Sequence, residues 1–299
     1  MAEQKTAFVA IVGRPSVGKS TFLNLVCGEK VAIVSGVPQT TRNAIRGIVN
    51  RPEGQLIFVD TPGRHDSEKK FNKKLMEVSD RAIVESDIIL YLLDASRAPG
   101  TEEEAIAELL KPHSEKTIAA INKIDAPGAG VQRSLDFLSA RLPAITDRCF
   151  PVSAKNNEGI ETLLAALYSM APVGVPLYDS EYYTDQETGF RIAEIIREQA
   201  INRLRQELPH SLYVNIADME FVEDGSKGKK LWVRAFIIVE RESQKGMVVG
   251  KGGEMIKAIR LGALKDLRRI FDWKIELDLR VKTGKDWRQR DLILKKIIY

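Results

Sequence analysis

The sequence predicts two folded parts: an α/β three-layer domain built on a mostly parallel sheet, and a smaller α+β domain behind it. Three observations predict this. Five short apolar runs, at 8–12, 56–59, 88–93, 117–121 and 150–152, alternate with amphipathic stretches through the first half. A break follows at Ala171-Pro172-Val173-Gly174-Val175-Pro176. Beyond it the pattern becomes helix, two strands, helix, glycine-rich turn, helix and a strictly alternating strand. At 299 residues the chain suits two domains, each able to bury its own core.

Continuous apolar runs separated by helical periodicity argue strands of a parallel sheet covered on both faces. Ligands of such sheets bind beyond the carboxyl ends of the strands, so the loops after these runs are where chemistry belongs. After a helix over Ile160–Met170, the Pro/Gly break cannot continue the helix, and 178–189 is polar and turn-rich. The expected division is therefore 1–173, a linker over 174–189, and 190–299. In the last part, Ile192, Ile195, Ile196, Ile201 and Leu204 carry a helix that Pro209 stops. Runs at 212–222 and 231–239 flank Asp224-Gly225-Ser226-Lys227-Gly228, which predicts a hairpin. Val248-Val249-Gly250-Lys251-Gly252-Gly253 leads into a helix reaching about residue 271, and 273–281 alternates as a half-buried strand must.

Composition narrows the setting. The two cysteines, Cys27 and Cys149, are too far apart in sequence to read as a metal or redox pair and are expected to be buried reduced thiols. No apolar run approaches the roughly 20 residues of a membrane span, so a soluble, unexported chain is expected, with peripheral membrane contact left open. Net charge is +4, and its distribution says more than its size. Residues 1–176 carry 21 basic and 21 acidic side chains, 177–299 carry 24 and 20, and 245–299 alone carry 15 and 7. A one-sided excess beside a glycine turn reads as an electrostatic footprint for nucleic acid.

Four strings follow the apolar runs: Gly13-Arg14-Pro15-Ser16-Val17-Gly18-Lys19-Ser20, continued by Thr21; Asp60-Thr61-Pro62-Gly63; Asn122-Lys123-Ile124-Asp125; and Ser153-Ala154-Lys155. In the first, glycines let backbone N–H groups turn inward at the positive end of a helix, which holds a phosphate chain without a wall of side chains. Lys19 is placed against the β- and γ-phosphates and the Ser20 hydroxyl on Mg²⁺. Asp60 is expected to reach Mg²⁺ through water, and Gly63 to offer its N–H to the γ-phosphate. Guanine presents two adjacent donors that one carboxylate can accept, the role assigned to Asp125. Adenine lacks that pair, and sites built on such a mismatch discriminate by roughly 10⁴ to 10⁵. Asn122 is expected to tie the loops together, the Lys123 stem to lie over the base, and the Ala154 N–H to meet the guanine carbonyl. Between the first helix and the next apolar strand, Pro38-Gln39-Thr40-Thr41-Arg42 is where a switch loop belongs. Thr41, preferred over Thr40, would complete the Mg²⁺ shell only while the γ-phosphate is present. The chain is thus expected to bind GTP and GDP with Mg²⁺, with Ser20, Thr41 and Asp60 at the metal and Lys19, Thr41 and Gly63 in catalysis.

These strings resemble the translation-factor-related GTPases, and Thr40-Thr41-Arg42 with Asp60-Thr61-Pro62-Gly63 is similar to their Era branch. Ala193-Glu194-Ile195-Ile196-Arg197-Glu198, Glu207-Leu208-Pro209 and Val249-Gly250-Lys251-Gly252-Gly253 resemble the K-homology (KH) domain that this branch carries after its GTPase domain. The resemblance covers nearly the whole chain. It implies a P-loop GTPase domain followed by a type II KH domain and binding to the 3′ end of 16S rRNA; GTP hydrolysis is expected to be slow for want of a water-orienting glutamine. It further implies assistance to small (30S) ribosomal subunit maturation by a cytoplasmic monomer, and it leaves open peripheral association with the inner membrane. Gly250, Lys251, Gly252 and Gly253 suit close approach of an RNA backbone, with about four nucleotides in the adjacent groove, and Lys257 and Arg260 are candidates for phosphate contact.

Two departures stand out. Ser16 occupies a position where the branch often has asparagine associated with potassium, so potassium stimulation is not expected. Arg64 follows Gly63 where Ras-like enzymes have a water-orienting glutamine; a solvated arginine is favoured over an arginine finger, and His65 is a candidate general base. Two rival readings stand beside this one. A GTPase of transfer-RNA modification is disfavoured because those proteins carry their own catalytic domain and a terminal cysteine, whereas this chain ends Lys296-Ile297-Ile298-Tyr299. The other rival is a GTP-gated RNA scaffold in which hydrolysis is incidental.

Overall fold

The structure, a computed structural model, describes residues 3–37, 40–63, 70–204, 208–225 and 229–298. Arg64, His65, Pro38, Gln39 and Glu207 lie outside the described residues. The chain divides into two compact units, the first including Thr41–Asp185 and the residues before Ile33, the second comprising Ile33–Thr40 and Gln186–Ile297.

In the first unit β1 (Lys5–Val12) leads into α1 (Lys19–Cys27), followed by β2 (Ile45–Arg51), β3 (Gly54–Asp60), α2 (Lys70–Glu85), β4 (Ile88–Asp94) and α3 (Thr101–Leu110). Next come β5 (Thr117–Asn122), α4 (Val131–Arg141), β6 (Cys149–Pro151) and α5 (Ile160–Met170). The sheet order is β2-β3-β1-β4-β5-β6. All neighbours are parallel except β2 with β3. Every residue of β3, β4 and β5 is buried, as strands covered on both faces require. Because these strands run one way, the loops after β1, β3 and β5 emerge at one edge of the sheet.

The antiparallel edge strand β2 is not among the apolar runs of the sequence: IRGIVNR mixes charge with β-branched residues, as an edge position allows. Its open side is covered by the chain after α5. The Tyr183 carbonyl accepts from Ile48 N (2.9 Å), Thr184 Oγ1 donates to the Arg46 carbonyl (2.8 Å), and Gln55 holds Leu177 and Tyr178 through both ends of its amide (2.8–3.0 Å). The polar stretch expected as linker is therefore bonded to the first unit through Asp185, and the helix expected from residue 190 begins at Thr188. Edge-strand N–H and C=O groups supply partners that a turn-rich sequence does not advertise.

The second unit contains α6 (Thr188–Arg203), α7 (Leu208–Ser211), β7 (Leu212–Glu223), β8 (Lys229–Val239), α8 (Glu242–Val249), α9 (Glu254–Ile270), β9 (Lys274–Thr283) and α10 (Asp291–Ile297). Its sheet runs β7-β8-β9, antiparallel then parallel. Leu231, Val233, Ala235 and Ile237 face Ile192 and Ile196 of α6 and Ile259, Ala263 and Leu267 of α9 in one core. The 259/263/267 spacing places three side chains on one helical stripe. After β9, Trp287 is fully buried and donates its indole N–H to the Ser211 carbonyl (3.0 Å).

Among the described residues no helix is long and apolar enough to cross a membrane. Both cysteines are free, and burial pushes each thiol up to about 12.

Candidate functional site

The loop from β1 to α1 is built by two backbone reversals. Ser16 has φ 60° and Gly18 φ 107°, and only glycine takes the second without strain. A Cβ on Gly18 would also stand 2.4 Å from Asn122 Nδ2. That amide is committed at both ends, donating to the Val17 carbonyl (2.8 Å) and accepting from Ala154 N (3.0 Å). We therefore expect Gly18→Ala to lose both bonds and to add left-handed strain. The expected cost is about 3 kcal/mol of stability, read as a lowered melting temperature together with weakened nucleotide binding.

Lys19 is buried, and its ammonium donates to the carbonyls of Gly13 (2.9 Å) and Arg14 (3.0 Å), curled inside the loop. Burial lowers its pKa to about 8, against the opposing charges of Asp60 and Glu102. A cation so desolvated is poised for an anion.

Three oxygens converge beside it. Ser20 Oγ donates to Asp60 Oδ2 at 2.6 Å, Thr41 Oγ1 lies 3.2 Å from the same oxygen, and the two hydroxyls are 3.2 Å apart. Asp60 is fully buried, and burial raises its pKa against Lys19 and the two hydroxyls. Its Oδ1 has no partner. An orphaned, desolvated carboxylate oxygen next to two hydroxyls fits a cation. Among the described residues no cluster of three His, Cys, Asp or Glu could hold a metal. One carboxylate with hydroxyls is instead the sparse donor set of Mg²⁺, which takes phosphate oxygens and waters for the rest of its shell. Thr61 is used differently, its hydroxyl donating to the Ile11 carbonyl (2.9 Å). A Cβ on Gly63 would meet Pro15 Cα at 2.9 Å, so this loop lies against the phosphate loop backbone.

At the other end, Asp125 Oδ1 accepts from Ser153 Oγ (2.6 Å), whose oxygen in turn accepts from Asn156 N (3.0 Å). Lys155 stands 4.0 Å from Oδ2, and the Asp125 side chain remains 14% exposed, open to a ligand. Lys123, at φ 65°, reaches back to the Ser16 carbonyl and to Asp94 Oδ2, both at 2.7 Å. The sequence reading missed Asp94. It accepts from Arg14 (2.7 Å) and from Ser96 N (2.9 Å), and Arg14 also pairs with Glu103 (2.8 Å). The Arg14 side chain is thus committed to a buried ion network beneath the loop, leaving its backbone to the phosphate site. The available signal was Asp94 closing an apolar strand at the edge where ligands bind.

In the second unit, α8 and α9 are joined through Gly250 (φ 74°), a 3-10 turn over Lys251–Gly253, Gly252 (φ 60°) and Gly253 (φ 82°). A Cβ on Gly250 would meet Met255 Cβ at 2.7 Å, whereas Gly252 and Gly253 face open space. Lys251 and Lys257 are exposed and Arg260 half-buried, so the turn offers backbone N–H groups and cations to solvent on the first turns of α9.

A phosphate-type loop, a buried carboxylate beside two hydroxyls and a second carboxylate at Asp125, with a helix–glycine turn–helix domain following in the chain, define a P-loop GTPase joined to a KH domain. The 50S ribosome-binding GTPase family matches residues 8–123, and the KH domain family matches 207–288. GTPase Era of Treponema denticola is 51% identical over 97% of this chain and 98% of its own length. That of Borreliella burgdorferi is 44% identical over 98% and 99%. Among solved structures, an Era variant from Aquifex aeolicus bound to GDP·AlF4⁻ superposes with TM-score 0.92 at 34% identity, covering 98% of each chain. Era in complex with MgGDPNP and nucleotides 1506–1542 of 16S ribosomal RNA superposes with TM-score 0.91 at 34% identity and the same coverage. The chain belongs to the Era family of GTPases.

Proposed function

We propose that this chain binds Mg²⁺ with GTP, hydrolyses it slowly, and uses the nucleotide state to gate binding of its KH domain to the 3′ end of 16S rRNA during maturation of the small ribosomal subunit in the cytoplasm. The observation that carries the reading is the meeting of Ser20, Thr41 and Asp60, which brings the switch threonine to the corner where a metal fits. Support for the RNA partner comes from the relative solved with nucleotides 1506–1542 of 16S ribosomal RNA and from the open Gly252–Gly253 turn flanked by cations.

In this reading the N–H groups of residues 13–21 cradle the phosphates, and Lys19 exchanges its two carbonyl partners for β- and γ-phosphate oxygens. Ser20, Thr41 and Asp60 hold Mg²⁺, which when bound neutralises charge on the phosphates. Gly63 offers its N–H to the γ-phosphate, stabilising charge as the phosphoryl group transfers to water. Asp125 accepts the two guanine donors, Ala154 N–H meets the carbonyl, and Asn122 and Lys123 brace the two loops. Turnover is slow because Gly63 is not followed by a water-orienting glutamine. Gly250, Lys251, Gly252 and Gly253 approach the RNA backbone, with Lys257 and Arg260 on phosphate.

The test is binding of a short RNA copied from the 3′ end of the organism's own 16S rRNA, at one fixed salt concentration because phosphate contacts are salt-dependent. The protein is loaded in turn with GDP and a non-hydrolysable GTP analogue. Tighter, sequence-dependent binding in the analogue state is expected. Equal affinity in both states would remove the gate, and no binding would remove the RNA partner.

A further inference from the structure

Strand β4 ends between two loops of the nucleotide site. In sheet order it lies between β1 and β5, so its last residue, Asp94, has the phosphate loop after β1 on one side and Lys123 after β5 on the other. Asp94 and Asn122 are register partners, and all of these residues belong to the first unit. One carboxylate oxygen serves both loops. Asp94 Oδ2 accepts from Arg14 Nη2 and from Lys123 Nζ, each at 2.7 Å. Its Oδ1 is held from behind by Ser96, whose N–H donates at 2.9 Å and whose hydroxyl donates as well. Asp94, Arg14 and Glu103 are buried, and with the Lys123 ammonium they form a set of two cations and two anions.

The two cations depend on Asp94 unequally. Arg14 keeps Glu103 as a second counter-ion (2.8 Å), and Glu103 is itself fixed by the Gly100 N–H (2.8 Å). The other described partner of Lys123 is the neutral Ser16 carbonyl (2.7 Å). Both ends of that bond sit on left-handed backbone, Ser16 at φ 60° and Lys123 at φ 65°. Residues other than glycine enter this region at a cost and persist there where their surroundings over-determine them. Asp94 supplies part of that determination for both loops at once, because it fixes the ammonium whose second bond joins them.

We propose that Asp94 is a positioning residue for nucleotide binding: it holds Lys123 against the phosphate loop and so keeps the phosphate cradle and the base side in register before a ligand arrives. This rests on the reading above, in which the Lys123 stem lies over the base. A site arranged beforehand spends less binding energy on arranging itself. The described partners of Asp94 are Arg14, Lys123 and Ser96, none of them at the metal corner, so its contribution is the same for GDP and GTP.

The experiment measures the affinity of the full chain for ribose-labelled fluorescent GDP and a non-hydrolysable GTP analogue, with Mg²⁺, in the wild type, Asp94→Asn, Lys123→Met and the double variant. Asp94→Asn is expected to weaken both nucleotides about thirtyfold, the worth of a hydrogen bond to a charged group. In the Lys123→Met background the same change is expected to cost less than about threefold, because the ammonium it acts through is gone and Arg14 keeps Glu103. A residue that merely supported the fold would cost the same in both backgrounds. Because Asp94 is buried, the unaltered protein is tested as well. Acylation of lysines on nucleotide-free protein, read by mass spectrometry, is expected to modify Lys123 about tenfold more slowly than Lys155, beyond the difference between their side-chain exposures of 34% and 81%. Undiminished affinity in Asp94→Asn, a loss confined to one nucleotide, an equal loss in both backgrounds, or acylation in proportion to exposure would each overturn the proposal and leave the base site standing. Lys123→Met that bound both nucleotides as tightly as the wild type would overturn the reading of the base site, and the proposal with it.

Discussion

Replacing Asp125 with asparagine is expected to lower affinity for GTP by on the order of 10⁴-fold and to turn the site toward xanthosine triphosphate. On the proposed reading one carboxylate would face the ring N–H and the exocyclic amine of guanine, two donors against two acceptor lone pairs. Asparagine puts an NH₂ where one oxygen was, so a donor meets a donor in a partly desolvated corner. Xanthine carries a second carbonyl in place of the amine and accepts from that same NH₂. The substitution is gentle to the fold. The described bond of Asp125 Oδ1 is from Ser153 Oγ, which an amide oxygen also accepts, and the side chain is 14% exposed. Equilibrium titration with both nucleotides, alongside a melting curve, decides the matter. An unchanged GTP affinity removes Asp125 from base selection. A loss of both nucleotides at an unchanged melting temperature says that the residue braces the loop of Ser153 rather than reading the base.

The sequence exposes what is local. The phosphate loop, Asp60 to Gly63, Asn122 to Asp125 and Ser153 to Lys155 are contiguous strings at the ends of buried strands, so spacing alone locates them. Parallel strands then bring their ends to one edge without further information. What sequence hides depends on which strand lies beside which. Arg14 and Asp94 are 80 residues apart, and they meet because β1 and β4 are parallel neighbours; the alphabet of the loop does not show that its arginine is buried. The same holds for β2 and the strap over it. Their sequences mix polar with apolar residues, because an edge needs hydrogen-bond partners as well as a buried face, and their pairing is set by the sheet. Trp287 stands alone among charged residues in the sequence, yet it is fully buried and donates to the Ser211 carbonyl.

Changing Lys251→Asp together with Gly252→Asp is expected to lower RNA affinity by about 10³-fold or more while leaving GTP binding intact, since bringing like charges together across an interface costs several kcal/mol. The double variant removes a cation from the turn and sets two carboxylates where a phosphodiester would approach. It should nevertheless fold. Lys251 is exposed, a Cβ on Gly252 meets nothing within 4 Å, and φ 60°, ψ 15° at Gly252 is the left-handed region that aspartate enters more readily than most residues. Gly250 is the wrong place for this test, because a Cβ there would strike Met255 at 2.7 Å and confuse lost binding with lost structure. Lys251→Ala provides the graded partner: if its ammonium contacts one phosphate, the slope of log affinity against log salt should become shallower by about one unit. Retained RNA affinity in the double variant, measured with GTP affinity and melting temperature unchanged, would take the glycine turn out of RNA binding. A parallel loss of GTP binding would mean instead that the turn supports the whole chain, and the salt slope of Lys251→Ala would then stay at the wild-type value.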